Sequence, residues 1–243
     1  MQYAAFSGGI DSTALCLLNP TAQPVFTDTG WEFQPVYDHI AKFEAATGRD
    51  VIRIQENETL PEYIKRSKFM PNHGARFCTR MFKIDPYNRF LESRLPAELF
   101  IGLRIDEEER VGNLTDIDGL TIRYPLRESG ITRMDCIRIC LEHDLLPRYP
   151  VYMARGGCIG CFYKRKSEVL AMAQLVPEVL DELQALEESV QDERGEYFHM
   201  FPNAGMSIRD IRRQLPLFDM TELYRDAVNV SDKGAACGAF CHR

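Results

Sequence analysis

The chain opens on a short apolar run, Tyr3 to Phe6, which breaks at Ser7-Gly8-Gly9 and gives way to apolar residues at Ala14, Leu15, Leu17 and Leu18. A run of that length, a glycine break and then helical spacing predict a strand, a tight loop and a helix. The alternation recurs: Gln23 to Phe26 reads as a second strand, Gln34 to Thr47 as a helix, and Asp50 to Gln55 as a third strand. Parallel strands joined by such helices cross over right-handedly. From Glu56 to Arg76 the periodicity weakens, and Pro61, Pro71, Asn72 and Gly74 mark a loop that can order over a ligand. Two more strands follow, Glu98 to Glu107 and Leu120 to Leu126, then a helix over Arg133 to Glu142 capped by Thr132. Beyond Lys164 the pattern is helical only. Ser167 is placed to cap a helix that turns Val169, Leu170, Met172, Ala173 and Val176 inward, with further helices over Pro177 to Val190 and Ser207 to Leu215. The pattern predicts an α/β fold: a doubly wound, mainly parallel five-stranded sheet in residues 1–155, with residues 156–243 as a cysteine-containing helical extension packed on it.

Composition narrows the function classes. The chain has 243 residues, 45% hydrophobic and 27% charged, which suits a globular α/β enzyme with a full core. A net charge of −7 lacks the broad basic field of a general nucleic-acid binder, although local basic patches remain open. The sequence shows no basic and apolar leader and no run of about 20 apolar residues, so a cytoplasmic location without membrane contact is expected. Eight cysteines in such a chain point to metal or redox chemistry rather than to a disulfide framework.

The first loop carries the clearest chemistry. Gly8 and Gly9 let backbone amides turn inward, Ser7, Ser12 and Thr13 add hydroxyls, and a helix N-terminus adds partial positive charge, so the loop suits phosphate. It lacks the lysine of the usual P-loop, and Asp11 suits a Mg²⁺-bound pyrophosphate better than a bare anion. The same residues would serve an ordinary glycine turn with Asp11 or Ser12 as N-cap. In a doubly wound sheet Thr27 and Asp28, at the end of the second strand, fall beside this loop where an adenosine would lie. Arg76, Arg80 and Lys83 form a cationic cluster able to hold a polyanion, or a solvated helix face.

Ser7-Gly8-Gly9-Ile10-Asp11-Ser12 resembles the S-G-G-x-D-S loop of the PP-loop ATP pyrophosphatases. In that superfamily the loop grips the β,γ-pyrophosphate of ATP while the α-phosphate is attacked, giving an adenylated substrate and pyrophosphate. Asp28-Thr29-Gly30-Trp31-Glu32-Phe33 resembles the D-T-G-[WY]-E-F segment of one branch, the phosphoadenosine phosphosulfate (PAPS) reductase and ATP sulfurylase small-subunit family. Arg76 to Pro86 is similar to its R-x-C-T-x-x-x-K-x-x-P segment, Gly102 to Glu107 to its G-[IL]-R-x-D-E, and Leu146 to Tyr152 to its L-P-x-x-P-[LV]-Y. The resemblance implies a Rossmann-like fold that binds ATP and Mg²⁺ through Ser7, Gly8, Gly9, Asp11, Ser12, Thr13, Thr27, Asp28, Arg76 and Arg104. It assigns catalysis to Asp11, Lys83 and Arg104, with Asp106 or Glu107 holding Mg²⁺ or orienting the arginine; a structural salt bridge is the other reading of Arg104.

Cys158-Ile159-Gly160-Cys161 is a C-x-x-C tight enough for two thiolates to share one metal, or to act as a redox pair. Cysteines in the related families imply a 4Fe-4S cluster on Cys78, Cys158 and Cys161, with Cys237 or Cys241 as fourth ligand; zinc is the alternative. Cys16 reads as a core residue, as do Cys136 and Cys140 on one helix face. Three functions follow. The leading one is adenylation of a substrate for sulfur transfer or modification of a nucleotide or nucleic acid, with a nucleic-acid acceptor, a sulfur-donor protein or a second copy of the chain as expected partners. The others are a thioredoxin-linked sulfonucleotide reductase with Cys237 as nucleophile, and a non-catalytic nucleotide-binding subunit with zinc on Cys158, Cys161, Cys237 and Cys241.

Overall fold

A computed structural model describes residues 1–107, 117–154, 156–191 and 199–214. These fall into two compact units, 1–56 with 79–148 and 57–78 with 149–214. The sheet lies wholly in the first. Strands β1 (Gln2–Ala5), β2 (Gln23–Asp28), β3 (Ile52–Gln55), β4 (Ala97–Phe100) and β5 (Leu120–Arg123) form a five-stranded sheet in the order β3-β2-β1-β4-β5. Every pairing is parallel, with Ala5 opposite Val25 and Ala4 opposite Phe100 across the central strand.

Alternation along β1 sends Tyr3 and Ala5 to one face and Ala4 and Phe6 to the other. On the first face Tyr3, Val25, Leu99 and Ile101 are covered by Tyr87 and Leu91 of α5 (Asp85–Glu92), and Phe90 meets the Tyr3 ring edge-on at 5.2 Å. On the second, Phe6 packs against Phe43 of α2 (Gln34–Thr47) at 4.8 Å, while α1 (Ile10–Leu18) lies against α7 (Arg133–Glu142). With helices on both faces, the doubly wound architecture expected from the sequence is the one observed. Leu91 and Leu99 are fully buried, so truncating either to alanine costs about 2–5 kcal/mol.

Local chemistry sets the ends of the elements. Gly48 terminates α2 in the left-handed region at φ 65°, and its N–H donates to Glu44 O at 2.9 Å. Thr132 caps α7 as expected, in a reciprocal box with Asp135. Strand β4 is shorter than the apolar run that announced it: Gly102 to Arg104 leave the ladder and lead into a 3₁₀ turn, Ile105–Glu107. After β5 the short helix α6 (Pro125–Glu128) precedes α7. Before α5 the chain makes one helical turn, α4 (Phe77–Thr79), and then a π-helical turn, Arg80–Ile84.

In the second unit, the stretch expected as loop contains helix α3 (Leu60–Ser67). Pro61 stands at its first turn, where a missing N–H is harmless, and Thr59 with Glu62 forms a capping box. Helix α3 packs on α9 (Pro177–Gln191), which also meets α8 (Lys166–Leu175) and α10 (Ile208–Gln214). Arg165, not Ser167, is the N-cap of α8, and Ser167 lies buried inside it. Glu187 of α9 is buried and accepts the backbone N–H groups of Met200 at 2.9 Å and Ile208 at 3.2 Å, while burial raises its carboxyl pKa. Among the described residues no helix is long and apolar enough to cross a membrane.

Candidate functional site

The strand order reverses at β1, which has β2 on one side and β4 on the other. Ligands of open α/β sheets bind outside the carboxyl ends of the strands at such a point. Two segments leave the sheet there: the loop after β1, which becomes α1, and the Gly102–Glu107 segment after β4.

The loop is held in shape by its own hydroxyls. Gly8 takes φ 72°, and Gly9 is the N-cap of α1. The Ser7 N–H donates to Ser12 Oγ at 3.1 Å, and Ser12 Oγ and Thr13 Oγ1 both donate to Gly9 O, at 3.0 and 2.9 Å. Helix geometry leaves the amides of the first turn of α1 without intrahelical acceptors, which makes the turn suited to an anion. Behind it, Thr13 Oγ1 meets Nε2 of buried His39 at 2.9 Å.

Asp11, in the first turn of α1, joins the two segments. Its Oδ2 pairs with Arg104 Nη1 at 2.5 Å and its Oδ1 with Arg133 Nη1 at 2.7 Å. The Arg104 side chain is only 5% exposed; its Nε donates to Asp106 Oδ1 at 2.9 Å, and Glu107 Oε2 lies 3.6 Å from Nη1. Burial alone would lower its basicity, but Asp11, Asp106 and Glu107 outweigh that and raise its pKa, so it stays a cation. Asp106 thus orients the arginine. Arg127 of α6 fixes the same segment by donating to the carbonyls of Arg104 at 3.4 Å and Glu107 at 2.8 Å.

The other candidates are distributed around these. Thr27 is buried at the end of β2, and Asp28, its last residue, accepts from Gly30 N and Tyr37 Oη, both at 2.8 Å. Lys83 lies in the π-helical turn, a feature frequent at functional sites, 12% exposed and 3.7 Å from buried Glu32, which also accepts from Thr29 Oγ1 at 3.1 Å. Arg80 instead pairs with Asp85 at 3.7 Å, and Arg76 belongs to the second unit, its guanidinium 5.5 Å over the Tyr163 ring. Arg133, Arg127 and His39 carry no local sequence signal for a site, and Glu32 carries one only as part of the D-T-G-W-E-F stretch.

The family model of the phosphoadenosine phosphosulfate reductase domain matches residues 2–117, which contain the loop, Lys83 and Arg104. Over these residues the chain is similar to that domain. An uncharacterized protein of Methanocaldococcus jannaschii is 31% identical to this chain, over 41% of this chain and 22% of its own length. A second uncharacterized protein of the same organism is 22% identical, over 73% of this chain and 45% of its own. The chain therefore spans less than half the length of either relative. A solved PAPS reductase from Candida auris, in a phosphate complex, is 17% identical with a TM-score of 0.45, covering 59% of this chain and 72% of that one.

Two kinds of metal were expected. A Mg²⁺ that arrives with phosphates needs only one or two carboxylates from the protein, and Asp11 beside the loop meets that requirement. For the thiolate metal, Cys158 and Cys161 share a tight turn, the Cys161 N–H donating to Cys158 O at 3.2 Å, and Cys78 lies buried in the same unit. Among the described residues no three His, Cys, Asp or Glu side chains converge to hold a metal; Cys237 and Cys241 lie outside them. Cys16, Cys136 and Cys140 are buried as expected of core residues, and Cys140 Sγ donates to Ile10 O at 3.5 Å. Burial, and then the charge of Asp11, push the Cys136 and Cys140 thiols up to about 12.

Proposed function

We propose that the first unit binds Mg·ATP at the Ser7–Thr13 loop and cleaves it at the α-phosphate. An acceptor oxygen forms the new bond to phosphorus, the bond from the α-phosphorus to the bridging oxygen breaks, and pyrophosphate leaves as the acceptor is adenylated. The supporting observation is the meeting of Asp11, Arg104 and Arg133 beside the start of α1 at the point where the strand order reverses. Mg²⁺, when bound, neutralises phosphate charge. The first-turn amides of α1 and the Ser7 hydroxyl bind the β,γ-phosphates, and Asp11 orients the metal-bearing end of the nucleotide. Arg104, pre-aligned by Asp106, directs positive charge to where it grows in the transition state. Lys83, held by Glu32, supplies a second cation.

A sulfonucleotide reductase with Cys237 as nucleophile is the second reading, favoured by the family model that matches. The retained Ser7-Gly8-Gly9-Ile10-Asp11-Ser12 sequence favours ATP. A 4Fe-4S cluster, or zinc, on Cys78, Cys158 and Cys161 belongs to the proposal with Cys237 and Cys241 as further candidates, and no catalytic step passes through it. The test is ATP–pyrophosphate exchange across candidate acceptors, run beside thioredoxin-dependent sulfite release from PAPS. Exchange that Asp11→Asn abolishes, with circular dichroism unchanged, supports adenylation. Sulfite release that needs Cys237, without exchange, replaces it with the reductase.

A further inference from the structure

We infer that His39 is a positioning residue for phosphate binding: as the Nε2–H tautomer it fixes the Thr13 hydroxyl, and through it the Gly9 carbonyl, in the orientation that aims the Ile10 N–H at the phosphates of the nucleotide. The inference rests on the Mg·ATP reading of the Ser7–Thr13 loop above. No step of that reading uses His39, although the residue is titratable and only 6% exposed.

The tautomer follows from counting hydrogens. Gly9 O can only accept, so its 2.9 Å contact with Thr13 Oγ1 uses the single hydroxyl hydrogen of Thr13. The hydrogen that bridges Thr13 Oγ1 and His39 Nε2, 2.9 Å apart, must then sit on Nε2. Burial first, and Lys42 second, lower the ring's pKa to about 4, so at neutral pH it has one hydrogen to place and Nδ1 is bare. A directed chain results, from His39 Nε2–H to Thr13 Oγ1–H to Gly9 O.

Peptide planarity carries that chain to the ligand side. In a trans peptide the carbonyl of one residue and the N–H of the next point in opposite directions. Gly9 O also accepts from Thr13 N at 2.9 Å and Ser12 Oγ at 3.0 Å, which draws it into the helix, so the Ile10 N–H at the start of α1 faces out of the N-terminal end. Gly9 has no side chain to hold that plane, and the hydrogen bonds do so instead. The Thr13 hydroxyl is held in turn by a second helix, because His39 belongs to α2, which Phe43 packs against Phe6 at 4.8 Å. Arg49, just beyond α2, donates to the Cys16 carbonyl at 2.7 Å towards the other end of α1. Both ends of α1 are thus referenced to α2, and His39 sets the end that meets phosphate.

The test uses the full chain, with inorganic pyrophosphate and Mg²⁺ as the probe in calorimetry. His39→Leu fills the space without the N–H and should bind pyrophosphate about three- to tenfold more weakly. His39→Gln offers an amide donor to Thr13 and should recover to within about twofold of wild type. Thr13→Val should lose as much as His39→Leu, and the double variant no more than either alone, because the two side chains act as one unit. Nitrogen NMR of the wild-type imidazole at neutral pH should find Nε2 protonated and Nδ1 bare, a signature that packing alone does not set, and it decides even where His39→Leu fails to fold. Unchanged binding by His39→Leu, equal losses in His39→Leu and His39→Gln, additive losses in the double variant, or a proton on Nδ1 in place of Nε2 overturns the inference while leaving the ATP reading in place. A wild-type protein that binds neither pyrophosphate nor Mg·ATP overturns both.

Discussion

Nε2 of His39, on α2, lies 2.9 Å from the hydroxyl of Thr13, which donates in turn to the carbonyl of Gly9 in the phosphate loop. A residue outside the loop thus braces it from behind. Burial, and then the charge of Lys42, lower the His39 pKa from 6.5 to about 4.

That shift carries a pH dependence with a definite sign. The folded state keeps the ring neutral while the unfolded chain protonates near 6.5, so this stability is complete above that pH and is lost as pH falls towards about 4. The loss between pH 7 and pH 4 is of the order of about 3 kcal/mol. Urea unfolding of wild type and His39→Gln at both pH values checks it. Gln keeps a donor for Thr13 but does not titrate, so its decline with acid should be smaller by about that amount; equal declines reject the assignment.

Arg104→Ala should cost both rate and stability. The partly exposed carboxylates it leaves behind remain hydrated, so the expected destabilisation at pH 7 is about 1–3 kcal/mol. Hydrogen bonding from Arg104 lowers the Asp106 pKa against the opposing effect of burial, so the wild-type advantage is present above the ordinary carboxylate range and is lost as pH falls below it. Thermal melts at pH 7 and pH 3 should show the gap closing. In turnover, kcat should drop more than KM rises; a change confined to KM would make Arg104 a ground-state contact.

Protein purified without oxygen should carry iron and acid-labile sulfide in equal amounts, and Cys158→Ser should bleach it. Colourless protein with stoichiometric zinc would reject the cluster. Cys136→Ser and Cys140→Ser should leave metal content unchanged, because both thiols are buried core residues of α7.

What the sequence disclosed and what it hid have separate physical causes. Strand, loop and helix at residues 2–18 were legible because apolar spacing and a glycine pair are local signals. Helix α3 was hidden by Pro61, although the Thr59-x-x-Glu62 capping signature stood beside it. Thr27 and Asp28 stand at the end of β2 as the sequence places them, and a ladder to β3 carries the strand through both, beyond its apolar run. The partner of Asp11 at Arg133 is 122 positions away, and no local pattern announces a contact at that range. The π-helical turn that carries Lys83 has no sequence signature of its own.

The second unit is assembled from two stretches of chain separated by two strands of the sheet. Lys68, just past α3, donates to the carbonyl of Ser189 in α9 at 2.9 Å. A ribosome adding about 5–20 residues per second therefore exposes α3 for some seconds before its packing partner is synthesised. During that interval the apolar side of α3, with Leu60 and Ile64, has no α9 to bury it. The nascent chain is then most open to chaperone capture between the emergence of α3 and that of α9, and truncations ending before residue 177 should aggregate through that helix even when the sheet itself is complete.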